Sequence, residues 1–285
     1  MSQFKDLLNI LDLEQVSDNV FIGVSLDIGS FAVYGGQVLA QAITAASRMC
    51  NDEKVLHSLH SYFLRPGNIS VPITYKVEVI KEGRSFNALR VKALQNDKTI
   101  FIMAASYQIP EKGIHHQIAM PNVAQPESLT SFSDLFAQFA EKFDVKPKGI
   151  FSPESPIIFH PVEHYDPFNP GIRPPYNHTW FKINGEVADS NINLNQAIMT
   201  YASDFNLLIT AMMPHNMSMF TDPVRIASLD HAMWFHSDVD LNDWILYAVD
   251  SPYAGNARGY CTGKMYTRDG KLVASVTQEG LIRKM

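Results

Sequence analysis

Cysteine is scarce in this sequence, with Cys50 and Cys261 the only two. So few thiols exclude a disulfide-stapled scaffold and suit a reducing compartment. No uninterrupted apolar run reaches the ~20 residues that a membrane-spanning helix needs. The opening stretch, MSQFKDLLNILDLEQV, places Asp6, Asp12 and Glu14 where a secretory signal would keep an apolar core. The final residues, Ile-Arg-Lys-Met, lack the Ser-Lys-Leu peroxisomal address. Basic residues are also short: 23 Lys and Arg against 29 Asp and Glu give a net charge of -6, with no basic cluster along the chain to offset it. Such a balance repels phosphate polyanions, so nucleic acid is not expected as a partner. The expectation is a cytoplasmic protein without stable membrane insertion.

What is present is enough apolar side chain for a sizeable core. Hydrophobic residues make up 46% and charged ones 18% of 285 residues, which argues against extensive disorder. A short N-terminal helix is followed by a helical pattern over 35–49, GGQVLAQAITAASRM. Strand-like stretches rich in Val, Ile, Phe and Tyr occupy 55–66, 73–83, 86–95 and 99–110, with Gly83 and Asn96-Asp97 as turn residues. The second half repeats the plan: a helical pattern over 194–211, then strands at 224–236, 244–251, 257–270 and 271–282. HSYFLR (60–65) echoes HAMWFH (231–236), AASYQ (104–108) echoes ASVTQ (274–278), and Gln108 stands as the echo of Gln278. Between the halves, 110–176 is studded with proline from Pro110 to Pro175, with one amphipathic helix predicted over Ser131 to Phe143. The expected organisation is a first repeat over 1–110, a connecting segment over 111–176 and a second repeat over 177–285. Each helix buries itself against the sheet that follows it, and the crevice between the units is the expected ligand site.

One stretch raises a chemical question. In IMTYASDFNLLITAMM (198–213), Asp204 is the single charged side chain. It could sit on a solvated face or cap a helix. Alternatively it is a desolvated acid or base. On a continuous helix it would share a face with Thr200, Tyr201, Leu207 and Leu208, where burial disfavours the charged carboxylate. Keeping it ionised would then require hydrogen-bond donors nearby.

At YGGQVLAQA (34–42), HSYFLRPG (60–67), YASDFNLL (201–208), DHAMWFH (230–236) and ASVTQEGLIR (274–283), the chain resembles the acyl-CoA thioesterase II family. The resemblance spans nearly the whole length. It implies an α+β double hotdog fold, each long helix wrapped by an antiparallel sheet, the two sheets joined into one. It also implies hydrolysis of fatty acyl-CoA to free fatty acid and CoA, with no cofactor and no metal. The family's catalytic trio falls on Asp204, Ser228 and Gln278, Ser228 standing where a threonine is usual. A Gln amide and a Ser hydroxyl are the donors that a buried Asp204 needs, and they can also hold a water.

Other candidates are substrate-binding. Gly35 and Gly36 could bring helix N-terminal amides to a developing oxyanion, or could simply allow tight packing. Arg84 and Arg258 could meet CoA phosphates, and His231 is read as a packed strand residue or as one bordering the substrate. A Ser228–His231–Asp204 triad is disfavoured because residues three apart in a regular strand face opposite sides, an objection that a bulge would remove. The Met-rich run 211–220 could line an acyl pocket or pack a loop. HPVEH (160–164) matches a zinc-peptidase pattern, but Pro161 and extended flanks argue for strand or loop rather than the helix that pattern needs. The leading expectation is a homo-oligomeric acyl-CoA thioesterase. The rivals are a hotdog enoyl-thioester hydratase, whose His-containing helix signature is not evident, and a non-catalytic acyl-CoA-binding module.

Overall fold

The computed structural model describes residues 3–51, 53–143, 149–163, 166–187 and 191–285. Its first half runs α1 (Gln3–Leu11), β1 (Glu14–Ser17), β2 (Val20–Gly23), α2 (Gly35–Ser47), β3 (Val55–Phe63), β4 (Ile73–Glu82), β5 (Phe86–Gln95) and β6 (Lys98–Gln108). Then come α3 (Phe132–Phe143), β7 (Ile157–Pro161), β8 (Tyr176–Ile183) and α4 (Ile192–Ser203). The chain closes with β9 (Val224–Ser228), β10 (Asp230–Phe235), β11 (Ile245–Gly255), β12 (Arg258–Thr267) and β13 (Leu272–Lys284).

All strands join one antiparallel sheet in the order β1-β2-β4-β5-β6-β3-β10-β13-β12-β11-β8-β7, with β9 pairing the far end of β13. The order is nearly palindromic in plan. The halves meet at β3 and β10, where His60 faces Ala232 and Leu59 faces Met233. That seam removes two strand edges that would otherwise be open to association. This is the double hotdog arrangement: α2 and α4 lie side by side, α2 against β4, β5 and β6 of its own half and α4 against β3 at the seam.

Neither α2 nor α4 contains a charged residue, so each can be buried on all sides. Leu39, Ile43 and Ile198 are almost fully buried, each burial contributing about 1.5–3 kcal/mol. Polar helix residues reach backbone acceptors, although Gln37 Nε2 and Gln196 Oε1 have no partner among the described residues. Gln41 Nε2 donates to Ile10 O and Val24 O, and Gln196 Nε2 donates to Leu56 O. The two-residue turns Asn96-Asp97 and Asn256-Ala257 both have positive φ at each position, as a tight hairpin matching strand twist requires.

Three local expectations change. The helix expected over 194–211 stops at Ser203, because Asn206 takes a left-handed conformation (φ 55°), and a 3₁₀ turn follows over Leu208–Ala211. Leu207 and Leu208 therefore do not extend a helical face from Asp204. The strand expected over 224–236 is broken at Leu229. Ser228 pairs with Gly280 but Ala232 with Thr277, which leaves one extra residue on the β9–β10 side, a β-bulge. The short echoes between halves are also out of phase. His60 is exposed and stacks edge-on against Trp234, whereas His231 is buried, and on β6 the buried position belongs to Tyr107 rather than Gln108.

Candidate active site

The C-terminus of α4 meets the N-terminus of α2, and Asp204 stands at that junction. It is the C-cap residue of α4, with helical backbone (φ -81°, ψ -7°). Its Oδ2 accepts the N–H of Gly36 at 3.0 Å. Tyr34, the N-cap of α2, offers no side-chain cap, so Asp204 caps α2 from across the interface. The contact needs glycine. A Cβ on Gly35 would lie 2.6 Å from Asp204 Oδ2, and one on Gly36 would lie 2.3 Å from Tyr201 O. Half-buried Tyr34 and buried Tyr247 finish the end of α4, Tyr34 Oη donating to Tyr201 O and Tyr247 Oη to Ser203 O.

The bulge at Leu229 aims the remaining groups at this carboxylate. Ser228 Oγ lies 3.4 Å from Asp204 Oδ1, and Gln278 Nε2 donates to Ser228 Oγ at 2.9 Å. Gln278 also favours the charged form of the Asp204 carboxyl. Behind the amide, Gln278 Oε1 lies 2.5 Å from His231 Nδ1, and His231 Nε2 lies 3.0 Å from Ser203 Oγ. The amide fixes the histidine tautomer. With its NH₂ turned to Ser228 and Asp204, its oxygen faces Nδ1, so Nδ1 carries the ring hydrogen. His231 is 0% exposed and Gln278 1% exposed, so this orientation cannot be averaged by water.

Burial raises the Asp204 carboxyl from 3.8 to about 6, against the lowering effect of its bonds from Gln278, Gly36 and Ser228. Two dipoles act in opposite senses: the C-terminus of α4 disfavours the charge and the N-terminus of α2 favours it. Burial lowers His231 from 6.5 to about 4, opposed by its bond to Gln278, so the ring is neutral at physiological pH. Ser228 and Gly35 line a cleft of about 330 Å³ with Val33, Val38, Phe63 and Phe101, and the rim carries Phe31, which is 82% exposed. The volume and apolar lining fit a small-molecule site with a few polar groups at one end.

Sequence comparison places this geometry among known proteins. Residues 148–281 match the family model described as acyl-CoA thioesterase, and residues 25–108 match the acyl-CoA thioesterase N-terminal domain. The chain belongs to the acyl-CoA thioesterase family. It is 41% identical to acyl-CoA thioesterase 2 of Haemophilus influenzae over 98% of this chain and 97% of that one. It is 34% identical to acyl-coenzyme A thioesterase 8 of Mus musculus over 96% of this chain and 88% of that one. Among solved structures, an acyl-CoA thioesterase II from Mycobacterium marinum superposes with a TM-score of 0.80 at 34% identity, covering 98% of both chains.

Against this family background, the fate of each candidate residue is specific. Asp204, Ser228 and Gln278 come together in one hydrogen-bonded group. Gly35 and Gly36 are there too, but the Gly36 N–H is taken by Asp204, leaving the Gly35 N–H without an acceptor among the described residues. His231 reaches the trio from behind and does not line the cleft. The objection that Ser228 and His231 diverge is removed by the bulge, and both meet Gln278. Arg84 lies in the β4–β5 turn, and Arg258 is paired with Glu279 at 2.8 Å; neither lines the cleft. The cations that do are Arg65, which lies within HSYFLRPG but was not singled out there, and Arg225, which no motif marked.

The Met-rich run packs rather than opens. Met212, Met213, Met217 and Met219 close with Phe132, Phe151 and Phe220 around a cavity of about 30 Å³, too small for an acyl chain. In HPVEH, His160 sits on β7 with Nδ1 2.8 Å from Pro126 O, and Glu163 pairs with His178 at 2.6 Å. His164 lies outside the described residues. Among the described residues no helix is long and apolar enough to cross a membrane.

Proposed function

We propose that the protein hydrolyses medium- to long-chain fatty acyl-CoA to free fatty acid and CoA, with Asp204 as general base. Family membership supports the reaction class. The residue roles rest on one observation: Ser228 and Gln278 converge on a carboxylate whose proton affinity burial has brought near neutrality.

In the forward step, a water held by Ser228 Oγ and the Gln278 amide gives its proton to Asp204. Its oxygen adds to the thioester carbon, forming a tetrahedral intermediate. The carbonyl oxygen becomes an oxyanion, which the free Gly35 N–H at the head of α2 is available to meet. Collapse re-forms the carbonyl and breaks the C–S bond, and the proton on Asp204 is available to the departing thiolate. His231 is a positioning residue. By donating Nδ1–H to Gln278 Oε1, it keeps the amide's NH₂ toward water and Asp204. Direct attack by Asp204 through a mixed anhydride uses the same groups. In single-turnover hydrolysis in ¹⁸O-labelled water, label in Asp204 marks the anhydride route with water attacking the aspartyl carbonyl, whereas the general-base route puts the label in the fatty acid alone.

The reading includes a reducing, cytoplasmic setting, which the free thiols Cys50 and Cys261 suit. It also includes a homo-oligomer, for which exposed apolar strand residues such as Tyr62 and Ile80 offer surface. The deciding assay follows thiol release from palmitoyl-, octanoyl- and crotonyl-CoA alongside enoyl absorbance. Thiol release is the expected result. Loss of enoyl absorbance without thiol would favour a hydratase, and tight binding with neither would favour a binding module.

A further inference from the structure

The mouth of the catalytic cleft carries cations that the trio does not use. Arg65 lines it from the first half of the chain and Arg225 from the second. Arg225 stands directly opposite Arg283 in the β9–β13 ladder, and Lys284 is the next residue of β13. All four side chains are exposed. Like charges placed directly opposite on a sheet disfavour it, so the register of Arg225 and Arg283 asks for an anion.

The described residues do not provide one. Arg48, Arg90, Arg258 and Arg268 pair with Asp12, Glu78, Glu279 and Glu127 respectively. Among the described residues no carboxylate pairs with Arg65, Arg225 or Arg283, although acids outnumber bases 29 to 23. Arg65 is held in place by its Nη1, which donates to Thr99 O at 2.5 Å.

Position narrows the ligand. Arg225 is three residues along β9 from Ser228, ~10 Å at extended-strand rise, and so faces the other side of this edge strand while still bordering the cleft. Arg65 lies two residues beyond Phe63, whose ring borders Gly35, and is thus ~7 Å further out along the chain. An anion at that distance is too remote to be the carboxylate released at the reacting carbon. It fits phosphate at the far end of an extended arm leading away from the thioester sulfur. Guanidinium forks recognise phosphate through paired charge-assisted hydrogen bonds.

We propose that Arg65, Arg225 and Arg283 form a phosphate-binding rim that holds the phosphorylated end of the substrate's pantetheine arm. This rests on the thioesterase reading above. The phosphate could belong to the nucleotide of CoA or to phosphopantetheine alone, as on a carrier protein. The probes are therefore octanoyl-CoA, octanoyl-phosphopantetheine and octanoyl-pantetheine, tested on wild type and on the combined Arg65→Gln, Arg225→Gln, Arg283→Gln variant.

The expected result is a rise in KM for octanoyl-CoA of about tenfold or more, with kcat kept and the octanoyl-pantetheine KM within about twofold of wild type. A loss confined to octanoyl-CoA assigns the rim to the nucleotide end, and an equal loss on octanoyl-phosphopantetheine assigns it to the shared phosphate; both support the proposal. Unchanged KM for both phosphorylated esters, or an equal loss on octanoyl-pantetheine, overturns it. An Arg225→Lys, Arg283→Lys variant keeps the charge and should retain most of the octanoyl-CoA affinity, which separates lost charge from lost fold. Wild type that hydrolyses none of the three esters would instead count against the thioesterase reading.

Discussion

Replacing Asp204 with Asn should make the protein more stable at neutral pH while disabling it. The carboxyl is raised from 3.8 to about 6 chiefly by burial, so above pH 6 the fold carries the cost of an ionised, desolvated group. At ~1.4 kcal/mol per pH unit, that cost is about 3 kcal/mol at most, less whatever the open side of the cleft returns through solvent. The sign is set by proton binding. Between pH 3.8 and 6 the folded state holds a proton on Asp204 that the unfolded chain does not, so this contribution grows as pH falls. His231 works oppositely. Its folded value of about 4 lies below the ordinary 6.5, so stability is lost as pH falls from 6.5 toward 4, by ~3 kcal/mol. In wild type the two contributions offset between pH 4 and 6. The Asn variant removes one and exposes the other. Urea unfolding should show Asp204→Asn more stable than wild type at pH 7.5 by up to ~3 kcal/mol, with the advantage gone near pH 4. A variant that is equally or less stable at pH 7.5, with a pH dependence parallel to wild type, would refute the reasoning.

Three further outcomes follow from the same geometry. The acid limb of kcat/KM should fall with an apparent pKa near 6, since protonated Asp204 cannot accept a proton from water. Gly36→Ala drives a methyl to 2.3 Å from the Tyr201 carbonyl, and should cost about 1–3 kcal/mol in denaturant unfolding as α2 and α4 move apart. His231→Ala frees the Gln278 amide to turn, so kcat should drop about tenfold or more with KM nearly unchanged, and His231→Asn should recover part of the loss through its own side-chain N–H.

Helices α2 and α4 were legible because uncharged, alternately small and large residues leave them no solvent face. Strands β3 to β6 and β9 to β13 were legible from their β-branched and aromatic runs and from turn pairs such as Asn96-Asp97, whereas β1, β2 and β8 were not read from the sequence and β7 was read only as strand or loop. Asp204, Ser228 and Gln278 were reached through ordered motifs rather than through periodicity, and Asp204 stood out because it is alone in its run. What remained hidden is tertiary. Nothing in the composition of 194–211 announces that Asn206 turns left-handed and ends the helix. The bulge at Leu229 depends on pairing with β13, and without it Ser228 and His231 look divergent. His60 and Gln108 match His231 and Gln278 in letters but not in face, since a shift of one residue in a strand exchanges buried for exposed. Arg65 and Arg225 lie far apart in sequence and meet at one cleft only after the halves join at β3 and β10. Arg84 and Arg258 were drawn from local strand ends, where no such meeting can be read.

The central claim is that Asp204, served by Ser228 and Gln278, activates water against a thioester. Its most direct test is steady-state thiol release from octanoyl-CoA by purified, folded Asp204→Asn at pH 8. Turnover should fall about 10²–10⁴-fold below wild type, the range that general base assistance supplies. Turnover within a factor of a few of wild type would contradict the account.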